Sequence, residues 1–229
     1  MPVRPAIPGS LFDFLIDLER NNHRDWFHDH KPRYEAEFRG PPLEFIEAMG
    51  PALNKISPHF LADTRKVGGS LFRIHRDVRF SKDKKPYKTH CGIQFRHERG
   101  KDVHCPGYYL HLAPEECFLG IGIWRPEKDV LAAIRSRLDT DPAAWKKAAK
   151  GKRFTDEFSL AGDSLKRAPK GWPVDHPQIE DLRRKDFIAV VTLDPEQIIE
   201  PGFHKELVRL MKVGTPLMRW LCEAVGVPF

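Results

Sequence analysis

Apolar positions in the first sixty residues recur with the spacing of an α-helix. Serine is a common N-cap residue, so Ser10 is predicted to cap a helix that ends at Asn21-Asn22. The apolar face of this helix comprises Leu11, Phe12, Phe14, Leu15 and Leu18. Residues 31–38 predict a second helix, which the GPP sequence at 40–42 ends. A third helix starts there, and its apolar positions are Leu43, Ile46, Met49, Leu53 and Ile56.

After Gly68-Gly69 the period changes to that of β-strands. Four runs rich in β-branched and aromatic residues predict strands at 71–75, 90–95, 107–112 and 117–124. The last three are close enough in sequence to form an antiparallel meander. Helices are predicted after Pro126 and Asp141, and residues 186–193 predict a late buried strand. Residues 203–225 predict a helix that is interrupted near Gly214 and Pro216.

This order of elements predicts an α+β fold in a single domain, residues 1–229. N-terminal helices precede a central antiparallel sheet, and further helices and the late strand pack on it. No run of about eighteen apolar residues is present, so no membrane-spanning helix is expected. The N-terminus does not resemble a secretory signal, and four scattered cysteines do not form a disulfide framework. We therefore expect a cytoplasmic protein.

Positive charge is concentrated in one part of the chain. The net charge is +6, yet the segment 65–101 holds twelve Lys or Arg residues against Asp77, Asp83 and Glu98. The remainder of the chain is therefore slightly acidic. A local field of one sign attracts anions. A solvated, positively charged loop is the alternative interpretation.

Strand residues alternate between the two faces of a sheet, so the apolar positions determine which side chains point outward. Phe72 and Ile74 are predicted to be buried, which turns Arg73 and His75 to the other side. Over all four strands the outward set is Arg73, His75, His90, Gln94, Arg96, Tyr109, His111, Phe118, Gly120, Gly122 and Trp124. The two glycines leave room for a ligand or for a covering helix. The polar neighbours favour a partly open cleft with an aromatic wall.

The loop between the first two predicted strands concentrates groups that bind anions. Arg76 and Arg79 can form paired hydrogen bonds with phosphate or carboxylate oxygens, which lysine cannot. Lys84 and Lys88 add positive charge, and Tyr87 adds a hydroxyl and a stacking face. With four members of the outward set, the predicted ligand site comprises Arg73, Arg76, Arg79, Lys84, Tyr87, Lys88, Arg96, Tyr109 and Trp124.

Three side chains in this region are candidates for proton transfer. His75 and His111 titrate near neutral pH when unperturbed. Asp77 stands beside two arginines, which lower its pKa and make it a better partner of arginine than a general base. A structural salt bridge is an equally good interpretation of Asp77. Phe80 is predicted to pack into the core and anchor the loop.

The charged and aromatic positions of this loop form a longer pattern. Its members are Arg73, Arg76, Asp77, Arg79, Phe80, Asp83, Lys84 and Tyr87. Upstream are NNHRDWF and KPRY, with Asn22, Arg24, Trp26, Phe27 and Tyr34, and downstream is GYYLHLAPEECFLGIGIW. The combination resembles an uncharacterised bacterial family, domain of unknown function 2461, over nearly the whole chain. The resemblance implies a single domain in which the arginine loop is the distinguishing feature, and it implies no activity.

The sequence contains no recognisable metal, cofactor or nucleophile motif. Histidines recur every seven residues from His90 to His111, but an odd spacing places neighbours on opposite faces of a strand. The paired spacings of closed zinc sites are lacking, and so is the GxSxG pattern of a nucleophilic serine. We therefore expect no bound metal and no cofactor.

Three functions are compatible with these features. The first is a phosphate-recognising domain, or an enzyme, whose arginines bind a nucleotide, a sugar phosphate or a phosphodiester. The second is a nucleic-acid-binding module that uses the basic loop and the aromatic sheet face. The third is an interaction protein whose cations meet an acidic partner or only brace the fold. The oligomeric state is open.

Overall fold

The computed structural model describes residues 6–100 and 104–229. The helices are α1 (Gly9–Arg20), α2 (Arg24–Asp29), α3 (Lys31–Arg33), a π-helix (Tyr34–Arg39), α4 (Gly40–Ile56), α5 (Lys128–Thr140), α6 (Pro142–Ala149), α7 (Lys152–Thr155), α8 (Ile179–Leu182), α9 (Pro195–Ile199) and α10 (Phe203–Ala224). The strands are β1 (Cys91–Arg96), β2 (Gly107–Leu112), β3 (Cys117–Ile123), β4 (Ser159–Ala161) and β5 (Phe187–Thr192). Within the described ranges, no helix is long and apolar enough to cross a membrane.

The five strands form one antiparallel sheet in the order β1-β2-β3-β5-β4. The first three strands are the predicted meander, and the late strand β5 pairs with β3. The α+β class is confirmed. Buried apolar side chains of the helices and of one sheet face belong to a common cluster that runs from Ile7 to Cys222. The division into one domain stays a prediction, and so does the cytoplasmic location.

The N-terminal helices differ from the prediction in two places. Ser10 does not cap α1, because the helix begins at Gly9 and its N-cap residue is Pro8, without a side-chain cap. The chain also does not break at residues 40–42. The π-helix carries it from α3 into α4, and Pro41 and Pro42 lie in the first turn of α4, where a missing N–H group is tolerated.

The predicted strand at residues 71–75 is wrong. Leu71 and His75 form only isolated bridges, to Ile93 and Tyr87 respectively. Arg76 N donates to the Pro86 carbonyl, but Pro86 has no N–H to return a bond, so the ladder cannot continue. The segment is therefore an irregular loop that bridges to β1 at Leu71. Ile74 is buried and Arg73 and His75 are exposed, as the alternation predicted, whereas Phe72 is only half-buried.

Helix α10 covers the core face of the sheet and runs without interruption through Gly214 and Pro216. The predicted interruption is wrong because burial of the long apolar face of α10 outweighs the cost of both residues. Gly214 has a specific role in this packing. A Cβ atom there would lie 2.3 Å from Cδ1 of Ile121 on β3, so only glycine lets α10 approach the sheet this closely.

We predict that Gly214→Ala destabilises the wild-type protein but not the Ile121→Val variant. Removal of Cδ1 leaves the new Cβ with its nearest neighbours at 3.7 and 3.9 Å, which is ordinary contact. Overpacking costs about 1–3 kcal/mol, whereas alanine in place of helical glycine gains about 1 kcal/mol. Urea unfolding of the four proteins should give a coupling energy of at least about 1 kcal/mol.

Gly50→Ala in α4 is the matched control, because its Cβ would meet Ala62 Cβ at 3.7 Å and should only stabilise the helix. Additive effects of Gly214→Ala and Ile121→Val would contradict this account of the packing.

Candidate functional site

A basic groove lies between the N-terminal helices and the loop at residues 65–87. Its cavity volume is about 740 Å³. The cationic side chains that line the basic groove are Arg24, Lys31, Arg39, Arg65, Lys66, Arg73 and Arg76. Against these seven stand only two acidic lining residues, Asp25 and Glu35. Part of the positive charge in the sequence thus lines one concave surface. Helices α2 and α3 contribute two of its cations, and the arginine loop (residues 73–87) contributes two.

Three of these cations are neutralised by carboxylates. Arg76 pairs with Asp83 at 2.6 Å, Arg65 with Asp63 at 2.6 Å and Arg39 with Glu35 at 2.8 Å. The other four have no ion pair with any described residue: they are Arg24, Lys31, Lys66 and Arg73. Arg24, Lys31, Lys66 and Arg73 are also exposed. The basic groove therefore retains unpaired donors that an anion can reach.

The contact between Asn22 and Tyr87 holds the two halves of the basic groove together. The Asn22 amide donates to the Tyr87 carbonyl at 3.1 Å and accepts from the Tyr87 N–H at 3.0 Å. Phe27 of α2 stacks on the Tyr87 ring, with 4.1 Å between ring centroids. The segments NNHRDWF and 73–87, far apart in sequence, thus meet at one point. Tyr87 is buried, and its ring packs against Phe27 where the two segments meet.

Of the three predicted proton-transfer candidates, His75, His111 and Asp77, only His75 lines the basic groove, where His28 lies as well. The His75 ring centroid lies 6.0 Å from that of Phe27 and 5.3 Å from that of Tyr87. Partial burial and the neighbouring Arg73 lower the pKa of His75. The imidazole is therefore neutral near pH 7 and able to accept a proton.

The tip of the arginine loop lies outside the basic groove. Arg79 binds Asp77 at 2.6 Å, and its hydrogen bonds lower the pKa of Asp77 to about 2. Asp77 is therefore an orienter of arginine rather than a base. The predicted burial of Phe80 is wrong, because its ring is 95% exposed and lies under the Arg79 guanidinium. Lys84 donates to the Val78 carbonyl at 3.0 Å, so the tip is held by its own polar contacts.

Lys88 and Arg96 also point away from the basic groove. Lys88 lies over the Phe72 ring at 5.3 Å, and partial burial lowers its pKa. Arg96 donates to the Gly68 carbonyl at 2.5 Å and lies 3.8 Å from Asp63. Both cations thus brace the segment at 63–72 against β1 and its entry.

A second concavity, the sheet cleft, lies on the face of the sheet opposite α10. Its volume is about 360 Å³, and its lining is mainly apolar. The lining residues are Phe72, Gln94, Gly107, Tyr109, Phe118, Gly120, Ile121, Gly122, Trp124, Ile188 and Val190. The Tyr109 ring lies across Gly92 of β1, where a Cβ atom would come within 2.8 Å of its hydroxyl. The strand alternation correctly placed Tyr109 and Trp124 on this face.

His111 belongs to neither concavity. Its Nδ1 shares a hydrogen bond with the Tyr109 hydroxyl at 3.1 Å, and its ring lies 4.5 Å from that of His90. Burial lowers the pKa of both imidazoles, that of His90 to about 4. No described hydrogen bond or ring contact joins the side chains of His75, His111 and Asp77 to one another. Among the described residues, no three His, Cys, Asp or Glu side chains are arranged to hold a metal ion.

Sequence reasoning missed Arg24, Lys31 and Lys66 as ligand-site residues. The count of charged residues directed the prediction to the arginine loop. Lys66 lies near the start of the basic segment, outside that loop. Arg24 and Lys31 lie in the upstream segments NNHRDWF and KPRY, which carried the family resemblance. Their presence there was the available signal, and only the tertiary contact at Tyr87 shows which cations face one another.

We predict that Asn22→Leu lowers the free energy of unfolding by about 1–3 kcal/mol, because the buried Tyr87 backbone loses both partners. Asn21→Leu is the matched control, since the Asn21 amide reaches only the Asp17 carbonyl of its own helix. Chemical unfolding monitored by circular dichroism measures both variants. Equal losses would show that the contact to Tyr87 contributes nothing beyond helix termination.

We also predict that Arg79→Gln raises the pKa of Asp77 from about 2 towards the ordinary value of 3.8. The reason is that hydrogen bonds from Arg79 stabilise the ionised carboxylate. A carbon-detected NMR titration of the side-chain carboxyl measures this pKa. Arg76→Gln, which removes the partner of Asp83 instead, should leave the Asp77 pKa unchanged. A shift in both variants would indicate a general field effect.

Comparison with known proteins identifies a family but no activity. A family model described as "Conserved hypothetical protein (DUF2461)" matches residues 10–220. No curated protein and no solved structure matches the chain. The matched range contains both the arginine loop and the helices that face it across the basic groove. The chain therefore belongs to the family of domain of unknown function 2461.

Proposed function

We propose that this protein recognises a phosphate-bearing small molecule in the basic groove. The observation that carries the proposal is the convergence of Arg24, Lys31, Lys66 and Arg73 on one concavity, where no described residue forms an ion pair with them. Guanidinium groups bind phosphate oxygens through paired hydrogen bonds, and lysines add charge. The proposed ligand offsets the mutual repulsion of these cations.

The dimensions of the basic groove favour a small ligand. A volume of about 740 Å³ falls within the range of pockets for metabolites and cofactors. Phe27, Tyr34 and Phe72 supply an apolar and aromatic part of the lining, which suits a ligand with an organic group beside its phosphate. A nucleotide or a sugar phosphate has this composition.

If the bound ligand reacts, His75 is the group that takes up the proton. It lines the basic groove beside Arg73, and its lowered pKa keeps the imidazole neutral at pH 7. Arg73 would then stabilise negative charge that develops on the ligand. Asp77 and His111 have no part in this proposal, because neither lines the basic groove.

The two other hypotheses find narrower support. The Arg76–Asp83 and Arg79–Asp77 pairs fit a bracing role for the tip of the loop, but they leave the four unpaired cations unexplained. Nucleic-acid binding would use a basic track along which several phosphates bind. The four cations without a described carboxylate partner instead surround one concavity, which favours the small molecule.

We predict that Arg24→Gln/Arg73→Gln weakens binding of pyrophosphate and of ribose 5-phosphate by at least about tenfold, because charge-assisted hydrogen bonds are lost. Isothermal titration calorimetry measures the affinities. Arg79→Gln/Lys84→Gln is the matched control: it also removes two positive charges, from side chains that do not line the basic groove, and should change affinity less than about twofold.

Wild-type affinity in the folded double variant would overturn the proposal. A salt series separates the small ligand from a polynucleotide. Between about 50 and 200 mM salt, multi-phosphate binding to nucleic acid weakens by about 10³-fold or more. A single-stranded oligonucleotide of about 12 nucleotides that binds more tightly than pyrophosphate, with that steep dependence, would replace the proposal with the nucleic-acid hypothesis.

A further inference from the structure

The sheet cleft is a second built cavity, and the proposed phosphate site does not use it. Aromatic side chains form a continuous wall on one side: Phe72 lies 5.7 Å from Tyr109, and Tyr109 lies 5.9 Å from Phe118, between ring centroids. Trp124 is 43% exposed at the mouth, with the Arg125 guanidinium 4.5 Å over its ring. Ile188 and Val190 of β5 form the opposite side. The cleft is therefore mainly apolar, with a strongly aromatic lining.

Gly120 leaves the sheet cleft open, although the packing of the fold does not require a glycine at this position. A Cβ atom at Gly120 would meet its nearest neighbour at 3.7 Å, an ordinary contact, and its backbone is not in the left-handed region. Gly122 is different, because its φ is 122° and a Cβ atom would lie 2.1 Å from the Phe187 carbonyl oxygen. Packing thus explains Gly122 but not Gly120. A side chain at Gly120 would only occupy the cleft.

Gln94 places an amide at the edge of the same cleft. Only 5% of the residue is exposed, and its side chain forms no hydrogen bond with any residue that the structure describes. The amide lines the cleft, beside Gly107. The amide atoms are not sealed from solvent, so a ligand that enters the cleft can reach them. A primary amide presents one donor and one acceptor side by side.

The geometry points to a planar heteroaromatic ring as the ligand of the sheet cleft. The aromatic wall would stack on the faces of such a ring, and Gln94 would form two hydrogen bonds with an edge that carries an adjacent donor and acceptor. Nucleobases have this edge. The volume of about 360 Å³ lies in the range for small-molecule pockets and accommodates one ring system. Gly120 provides the space that the ring occupies.

The test uses nucleosides, which lack phosphate, so that its outcome does not depend on the basic groove. Adenosine, guanosine, cytidine and uridine are titrated into the full chain by ligand-observed NMR and calorimetry. At least one should bind with a Kd at or below about 1 mM. Gly120→Leu and Val190→Trp should each abolish binding, because they fill the cleft from β3 and from β5. Ala132→Leu, at an exposed position of α5, adds comparable bulk elsewhere and should bind as the wild type does.

Gln94→Met tests the edge contact separately from the shape of the cleft. This variant should weaken nucleoside binding at least about tenfold, since the bidentate pair is lost. Its affinity for indole, a planar ring without the adjacent acceptor, should change less than about twofold. Failure of all four nucleosides to bind the wild type would overturn the inference. So would unchanged nucleoside affinity in Gln94→Met, or in whichever cleft-filling variant retains the wild-type circular dichroism spectrum.

Discussion

The double hydrogen bond between Asn22 and the Tyr87 backbone is the contact on which the candidate site depends. It joins the turn after α1 to the C-terminal end of the arginine loop, and the Phe27 and Tyr87 rings stack beside it. Backbone groups in a buried loop need partners, and an asparagine amide can supply both a donor and an acceptor at once. This contact helps to place Arg24 and Arg73 in the lining of one concavity.

The cations that line the basic groove repel one another, and carboxylates of the described structure offset this repulsion only in part. Like charges around a concavity repel and destabilise the compact state. Asp83, Asp63 and Glu35 compensate three of the seven cations, while four remain without a carboxylate partner in the described structure. Natural proteins tolerate such local conflicts mainly at functional sites. This conflict is the feature on which the proposed phosphate site rests.

The spacing of apolar residues was enough to predict the elements that bury one regular face. Leu11, Phe14, Leu15 and Leu18 of the predicted α1 stripe are buried, and strands β1, β2, β3 and β5 form close to their predicted positions. Burial departs from the prediction in two strands: every residue from Cys91 to Phe95 of β1 is buried, whereas β5 is only half-buried at Ile188, Val190 and Val191. The short edge strand β4 has three half-exposed or exposed residues and left no pattern. In α10 the propensity rule failed at Gly214, because its tertiary contact with Ile121 is invisible in local sequence.

The candidate site was predictable only in part, for a similar reason. Alternation placed Tyr109, Trp124 and Gly120 on the open face, because regular strands transmit that information. It assigned Gln94 to that face but could not show its burial, which depends on neighbours distant in sequence. The facing of α2 and the arginine loop likewise arises from one long-range contact. Charge composition alone could not distinguish the paired Arg76 from the unpaired Arg73.

Phe72 lines both the basic groove and the sheet cleft, so one aromatic ring is a shared partition between the two. An occupant that pushes this ring from one side changes the shape available on the other. Thermodynamic linkage then requires that the two occupants alter each other's affinity by the same factor, in the same direction. If both proposed sites bind ligands, this one side chain would make their occupancy cooperative or mutually exclusive.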